Sequence, residues 1–169
     1  DKETRNMSKR QIAQELECSF NVSGETVIHP EDLEWYLERI VKPEHRTGFD
    51  RNYWIWEKYD TENQYLLTAD VARGDGTDSS VFHVIKLNNM EVIAEYQGKP
   101  SLDMYARILY NAGIEYGGCL MVVENNGIGI SVLEKLIDLG YPNLYYSMKS
   151  THEFVEAIRG ETMDRAVPG

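Results

Sequence analysis

Two acids in this sequence stand where acids are costly. Asp70 lies inside the apolar stretch Leu66-Leu67-Thr68-Ala69-Asp70-Val71-Ala72, and Glu124 ends the apolar run Leu120-Met121-Val122-Val123. An ionised carboxylate within an apolar strand is expensive unless something pairs with it. Strand alternation puts Asp70 on the same face as Leu66, Thr68 and Ala72. In open α/β sheets, sites form beyond the carboxyl ends of the strands. If these two runs are neighbouring strands, both acids converge on one point. Two carboxylates there would hold Mg²⁺ or Mn²⁺, hard cations that prefer oxygen ligands. Taken singly, each acid has a plainer explanation: Asp70 pairs with Arg73 or caps a turn, and Glu124 merely ends a strand. Their joint placement favours the metal site.

The segments that follow the two acids suit such a site. Arg73-Gly74-Asp75-Gly76-Thr77-Asp78-Ser79-Ser80 is glycine-rich, so its backbone can turn sharply and approach a phosphate or a metal. It adds Asp75 and Asp78 beside the site, of which Asp78 is the stronger candidate and Asp75 reads more simply as a solvated turn acid. Gly127 and Gly129 let a helix begin close to the end of the second strand, with free N–H groups that can face a phosphate.

Other chemistries are excluded or unsupported. No GxxxxGK[ST] run is present, so the chain does not itself cradle a nucleotide by a P-loop. Gly127-Ile128-Gly129 lacks the third glycine of a dinucleotide fingerprint. His29, His45, His83 and His152 show no zinc spacing and read as surface or packing residues. Cys18 and Cys119 are far apart without CxxC spacing, which suits small core residues in a reducing compartment. The net charge of -11 argues against a protein that coats nucleic acid with a broad basic surface. It leaves room for a nuclease, whose metals invert the local field. No apolar run approaches a membrane span, and the N-terminus is not a signal peptide.

Near the N-terminus, Ser8-Lys9-Arg10-Gln11 reads as a capping box opening a helix to about residue 18. A turn at Ser23-Gly24 and a short strand at Thr26–Ile28 follow. Pro30 opens a second helix with Leu33, Leu37 and Ile40 on its apolar face. The charged, aromatic stretch 42–60 reads as a linker or packed extension leading into the next domain, with the linker at 46–60 dividing residues 1–45 from a domain over 61–169. In that domain, strands are expected at 65–72, 80–87 and 90–96, with Asn88-Asn89 making a hairpin turn. Ser101 caps a helix bearing Leu102, Tyr105, Leu109, Ala112 and Tyr116. Residues 119–123 form a strand buried on both faces. Residues 127–139 form a helix closed by Gly140, and 144–147 a fifth strand. The order β-β-β-α-β-α-β implies an α/β fold with three antiparallel strands continued by parallel ones and flanked by helices.

Thr68-Ala69-Asp70-Val71-Ala72-Arg73-Gly74, with Asp78 and Ser79 following, resembles the first nuclease motif of the large terminase subunits of tailed double-stranded-DNA phages. Val122-Val123-Glu124-Asn125-Asn126-Gly127-Ile128-Gly129 resembles the second. Ile12-Ala13-Gln14-Glu15-Leu16, with Phe20, Ser23-Gly24 and Thr26-Val27-Ile28, is similar to the tail of the same proteins' ATPase domain. The likeness spans most of the chain.

This resemblance implies a ribonuclease H-like sheet and an endonuclease that cuts concatemeric double-stranded DNA with two divalent metals, Mg²⁺ or Mn²⁺. Asp70 would contact both metals, Glu124 one of them, and Asp78 would orient a hydrated metal or the water. It also implies as partners double-stranded DNA, the ATPase domain of the same protein, the terminase small subunit and the procapsid portal, in the host cytoplasm. The third metal-binding acid of the family is not placed: Asp164 follows a plausible loop but is not assigned the role. On this reading the chain is an excised, C-terminally incomplete piece with weak or no activity of its own. The rivals are another ribonuclease H-like nuclease, of resolvase or integrase type, and a non-catalytic docking domain of the packaging motor.

Overall fold

The computed structural model describes residues 29–74, 76–148 and 166–169. The chain divides into two compact units, 1–42 and 43–169. In the first, helix α1 spans Pro30–Leu37, with proline at its start as its fixed φ favours. Ile40, expected on its apolar face, lies beyond its end. The capping-box helix and the strand expected at Thr26–Ile28 lie outside the described residues.

The second unit is built on a six-stranded mixed sheet. Its strands are β1 (His45–Thr47), β2 (Tyr53–Ile55), β3 (Tyr65–Asp70), β4 (Ser80–Lys86), β5 (Glu91–Gly98) and β6 (Leu120–Val123), in the spatial order β1-β2-β5-β4-β3-β6. β3, β4 and β5 form an antiparallel meander, and β6 pairs with β3 in parallel. The crossover from β5 to β6 runs through α2 (Leu102–Glu115), and α3 (Gly129–Asp138) follows β6. Ser101 caps α2 as expected, its side chain accepting from the Met104 N–H.

The stretch 46–60 carries most of β1 and all of β2, which extend the sheet beyond β5. Two local expectations are corrected. The 87–90 turn reaches positive φ at Met90 (60°), not at an asparagine. Asn88 instead accepts from the Gln64 N–H, and Asn89 hydrogen-bonds Glu91. Finally, the expected fifth strand splits. Leu144 makes one parallel bridge to Met121, while β7 (Tyr146–Met148) pairs with β8 (Ala166–Pro168) in a separate two-stranded sheet.

Period-2 alternation sorts the sheet into two unlike faces. Tyr65, Leu67 and Ala69 of β3 and Phe82 and Val84 of β4 are buried in one cluster with Tyr105, Leu109 and Ala112 of α2 and Val132, Leu133 and Leu136 of α3. Leu66, Thr68, Val81, His83, Leu120 and Val122 point the other way and are only half-buried. β6 is therefore not buried on both faces, as its unbroken apolar run suggested.

Phe82 sits at the centre of the covered face. It is fully buried, edge-on to Tyr53 at 5.3 Å and stacked on Tyr96 at 5.4 Å between ring centroids. Phe82→Ala is expected to cost about 3–5 kcal/mol of stability, as large-to-small changes in a packed aromatic core do. Denaturant unfolding checks this, and a loss under about 1 kcal/mol would place the core elsewhere.

Candidate functional site

The parallel ladder decides where the two acids go. Ala69 pairs with Val123, and the Glu124 N–H donates to the Ala69 carbonyl at 2.9 Å. Asp70 and Glu124 are thus the next residues along two adjacent strands, at their carboxyl ends. Both side chains are exposed, and both line an open cavity of about 530 Å³ together with Thr68, Ala69, Val81, His83 and Val122. Among the described residues neither carboxylate has a cationic partner, so the pairing of Asp70 with Arg73 is not made. Glu124 accepts only a long hydrogen bond from Asn126, at 3.4 Å.

The backbone beneath Asp70 is fixed from the covered side. Tyr105 is fully buried, and its hydroxyl donates to the carbonyl of Val81 at 2.7 Å and approaches that of Asp70 at 3.1 Å. Those two residues are cross-strand partners, so one phenol ties the ends of β3 and β4. Burial, with Tyr96 and Asp70 nearby, pushes that phenol far above its ordinary range and keeps it a proton donor. The loop that follows is pinched at its neck by buried Ser80. Its hydroxyl accepts from the Ala72 N–H at 3.0 Å and donates to the Ala72 carbonyl at 3.2 Å. Lys99 donates to the Gly76 carbonyl across the loop at 3.0 Å.

Of the other expected residues, Asp78 lies in this loop, exposed, beside Thr77 Oγ1 at 3.4 Å, and does not line the cavity. Asp75 and Asp164 fall outside the described residues. No group of three His, Cys, Asp or Glu side chains suited to a metal ion occurs among the described residues. Asp70 and Glu124 therefore fit as two oxygen donors of a hard cation, with the rest of its shell left to other groups. His83 also lines the cavity, although nothing in its local sequence marks it. It reaches the cavity through strand pairing opposite Thr68.

The turn from β6 into α3 depends on two glycines. Gly127 has φ of 55° in open space, whereas a Cβ on Gly129 would lie 1.8 Å from the Glu124 carbonyl oxygen. The helix start therefore folds back directly over the residue that carries the second acid. The N–H groups of Gly129 and Ser131 are already used by the carbonyls of Asn126 and Ile128. Asn125 Nδ2 donates to the Pro168 carbonyl at 2.8 Å, which brings β8 alongside this turn.

No protein-family model and no curated protein matches the chain. Solved structures do. The large terminase nuclease from thermophilic phage G20c with bound magnesium aligns with a TM-score of 0.53 at 23% identity, over 66% of this chain and 57% of that one. The same protein with bound zinc gives the same score and identity over 63% of its length. The large terminase nuclease domain of Thermus phage P74-26 aligns with a TM-score of 0.50 at 21% identity. The present chain spans little more than half the length of the first of these. At this identity the likeness establishes the fold, a ribonuclease H-like mixed sheet flanked by helices.

Gly129→Ala and Gly127→Ala separate the two glycine roles. Ala at 129 must push the Glu124 carbonyl aside and is expected to cost about 1–3 kcal/mol, as overpacking does. Ala at 127 meets only the milder penalty of positive φ. Mn²⁺ titration followed by electron paramagnetic resonance should show the larger loss of affinity for Gly129→Ala. Equal affinities would mean that Glu124 does not depend on this turn.

Proposed function

We propose that this chain is the metal-binding part of a terminase-type endonuclease acting on double-stranded DNA. The observation that carries the reading is the placement of Asp70 and Glu124. They end two paired parallel strands, share one open cavity, and have no cationic partner among the described residues. The fold is that of nucleases crystallised with magnesium, cobalt and zinc, which supports a divalent cation at this position.

On this reading Asp70 and Glu124 hold the cation, Asp70 reaching two such ions if both are bound. Bound there, divalent cations supply a water of lowered pKa and offset the charge that builds on the phosphorane oxygens. The chain's own contribution is positioning. Tyr105 fixes the carbonyl of Asp70, Ser80 closes the loop beside it, and Gly129 sets the carbonyl of Glu124. Asp78 is assigned the weaker role of orienting a hydrated metal or the water from the loop. Mg²⁺ or Mn²⁺ is the expected ion because both donors are carboxylates. Residues 1–45 are read as the tail of an ATPase domain. The small subunit, the portal and the host cytoplasm follow from the same assignment to a packaging motor. Among the described residues no helix is long and apolar enough to cross a membrane.

Asp70→Asn and Glu124→Gln test the assignment. Each is expected to abolish Mn²⁺ binding and to reduce any metal-dependent plasmid nicking to background. Neither should destabilise the metal-free protein, since removing one of two adjacent carboxylates relieves like-charge repulsion. Thermal melts on the same preparations check that point. Unchanged Mn²⁺ binding in both variants would move the metal away from these residues.

A further inference from the structure

The cavity at Asp70 and Glu124 has a third polar wall, to which the proposed function assigns no role. His83 lines it from β4. The register sets the spacing. His83 is the cross-strand partner of Thr68, and Asp70 is the partner of Val81, so Asp70 and His83 are diagonal neighbours on the open face. Diagonal pairs sit about 7–8 Å apart. That spacing is between backbones and leaves both side chains able to reach into the space between them. It suits two groups that flank one phosphate and its attacking water.

The next strand fixes the ring. Glu95 of β5 is the direct partner of His83, and its Oε2 lies 3.3 Å from His83 Nε2. A carboxylate at one ring nitrogen favours the tautomer that carries its proton there. Nδ1 is then left as a lone-pair acceptor, and among the described residues it has no hydrogen-bond partner. Carboxylate, imidazole and nucleophile in a row is the arrangement by which a base is oriented towards the proton it meets.

We propose that His83, its tautomer set by Glu95, is a functional residue of this site whose Nδ1 accepts a hydrogen bond from the water that attacks the phosphodiester. This rests on the nuclease reading of Asp70 and Glu124, but the two can fail separately.

Nitrogen-15 NMR of the histidine rings tests it on the whole 169-residue chain, with His83 identified by its loss in His83→Gln. The probe is Mg²⁺ with a short DNA duplex bearing phosphorothioate linkages. With the ring neutral, His83 is expected to show the Nε2–H tautomer, and Glu95→Ala to lose that bias. Its Nδ1 resonance should shift on adding the probe, and should not shift in Asp70→Asn. If the amides of Asp70 and Glu124 move while the His83 ring stays unchanged, the site binds its ligand without His83 and the inference falls alone. An Nδ1–H tautomer overturns it equally. If neither those amides nor the ring respond, the nuclease reading fails and takes the inference with it.

Discussion

The site depends on the parallel pairing of β3 with β6. Ala69 faces Val123 across that ladder, and the Glu124 N–H closes it on the Ala69 carbonyl. Side chains alternate along a strand, so a slip of one residue would send Asp70 to the covered face, among apolar side chains. The burial of Leu67 and Ala69 on one side, and of Met121 and Val123 on the other strand, forbids that slip. The register of the acids is thus enforced by the hydrophobic core rather than by the acids themselves. Two carboxylates repel each other in the absence of a cation, and the core holds them together regardless.

The groups packed beneath that pair hold backbone rather than side chain. Tyr105 reaches through from α2 to the ends of β3 and β4, and Gly129 lets α3 begin against the Glu124 carbonyl. The carboxylates keep their freedom and their exposure. A metal ligand needs such freedom when the ion must also accept oxygens from a substrate and from water. The large net negative charge, -11, accords with the proposed function, in which bound cations would carry the attraction for phosphate at this point.

Much of this was legible in the sequence because it is encoded locally. Period-2 runs marked β3, β4 and β5, Ser101 marked the start of α2, and Gly140, at φ of 73°, marked the end of α3. The carboxyl-end positions of Asp70 and Glu124 followed from the same runs. What was missed is encoded by distant partners. β1 and β2 have three residues each, too few for a period to show, and β2 becomes a strand by pairing Tyr53 with Tyr96. His83 looks like any half-exposed histidine until Thr68 and Glu95 are placed beside it. The asparagines mark the place of the 87–90 turn, but the residue at positive φ is Met90.

The order of strands also sets which contacts are slow to form. β3, β4 and β5 are joined by short connections and pair with their sequence neighbours, so their loop-closure entropy is small. β6 joins the opposite edge only after a crossover through α2, with Ala69 meeting Val123 more than fifty residues later. Contacts of such separation are slow to form, because chain entropy must be spent before they stabilise anything. Asp70 and His83 lie within the meander, whereas Glu124 follows the strand with the long connection. The two carboxylates are neighbours only once that crossover has closed, so on the proposed reading the cation site belongs to the folded domain and to no local segment of it.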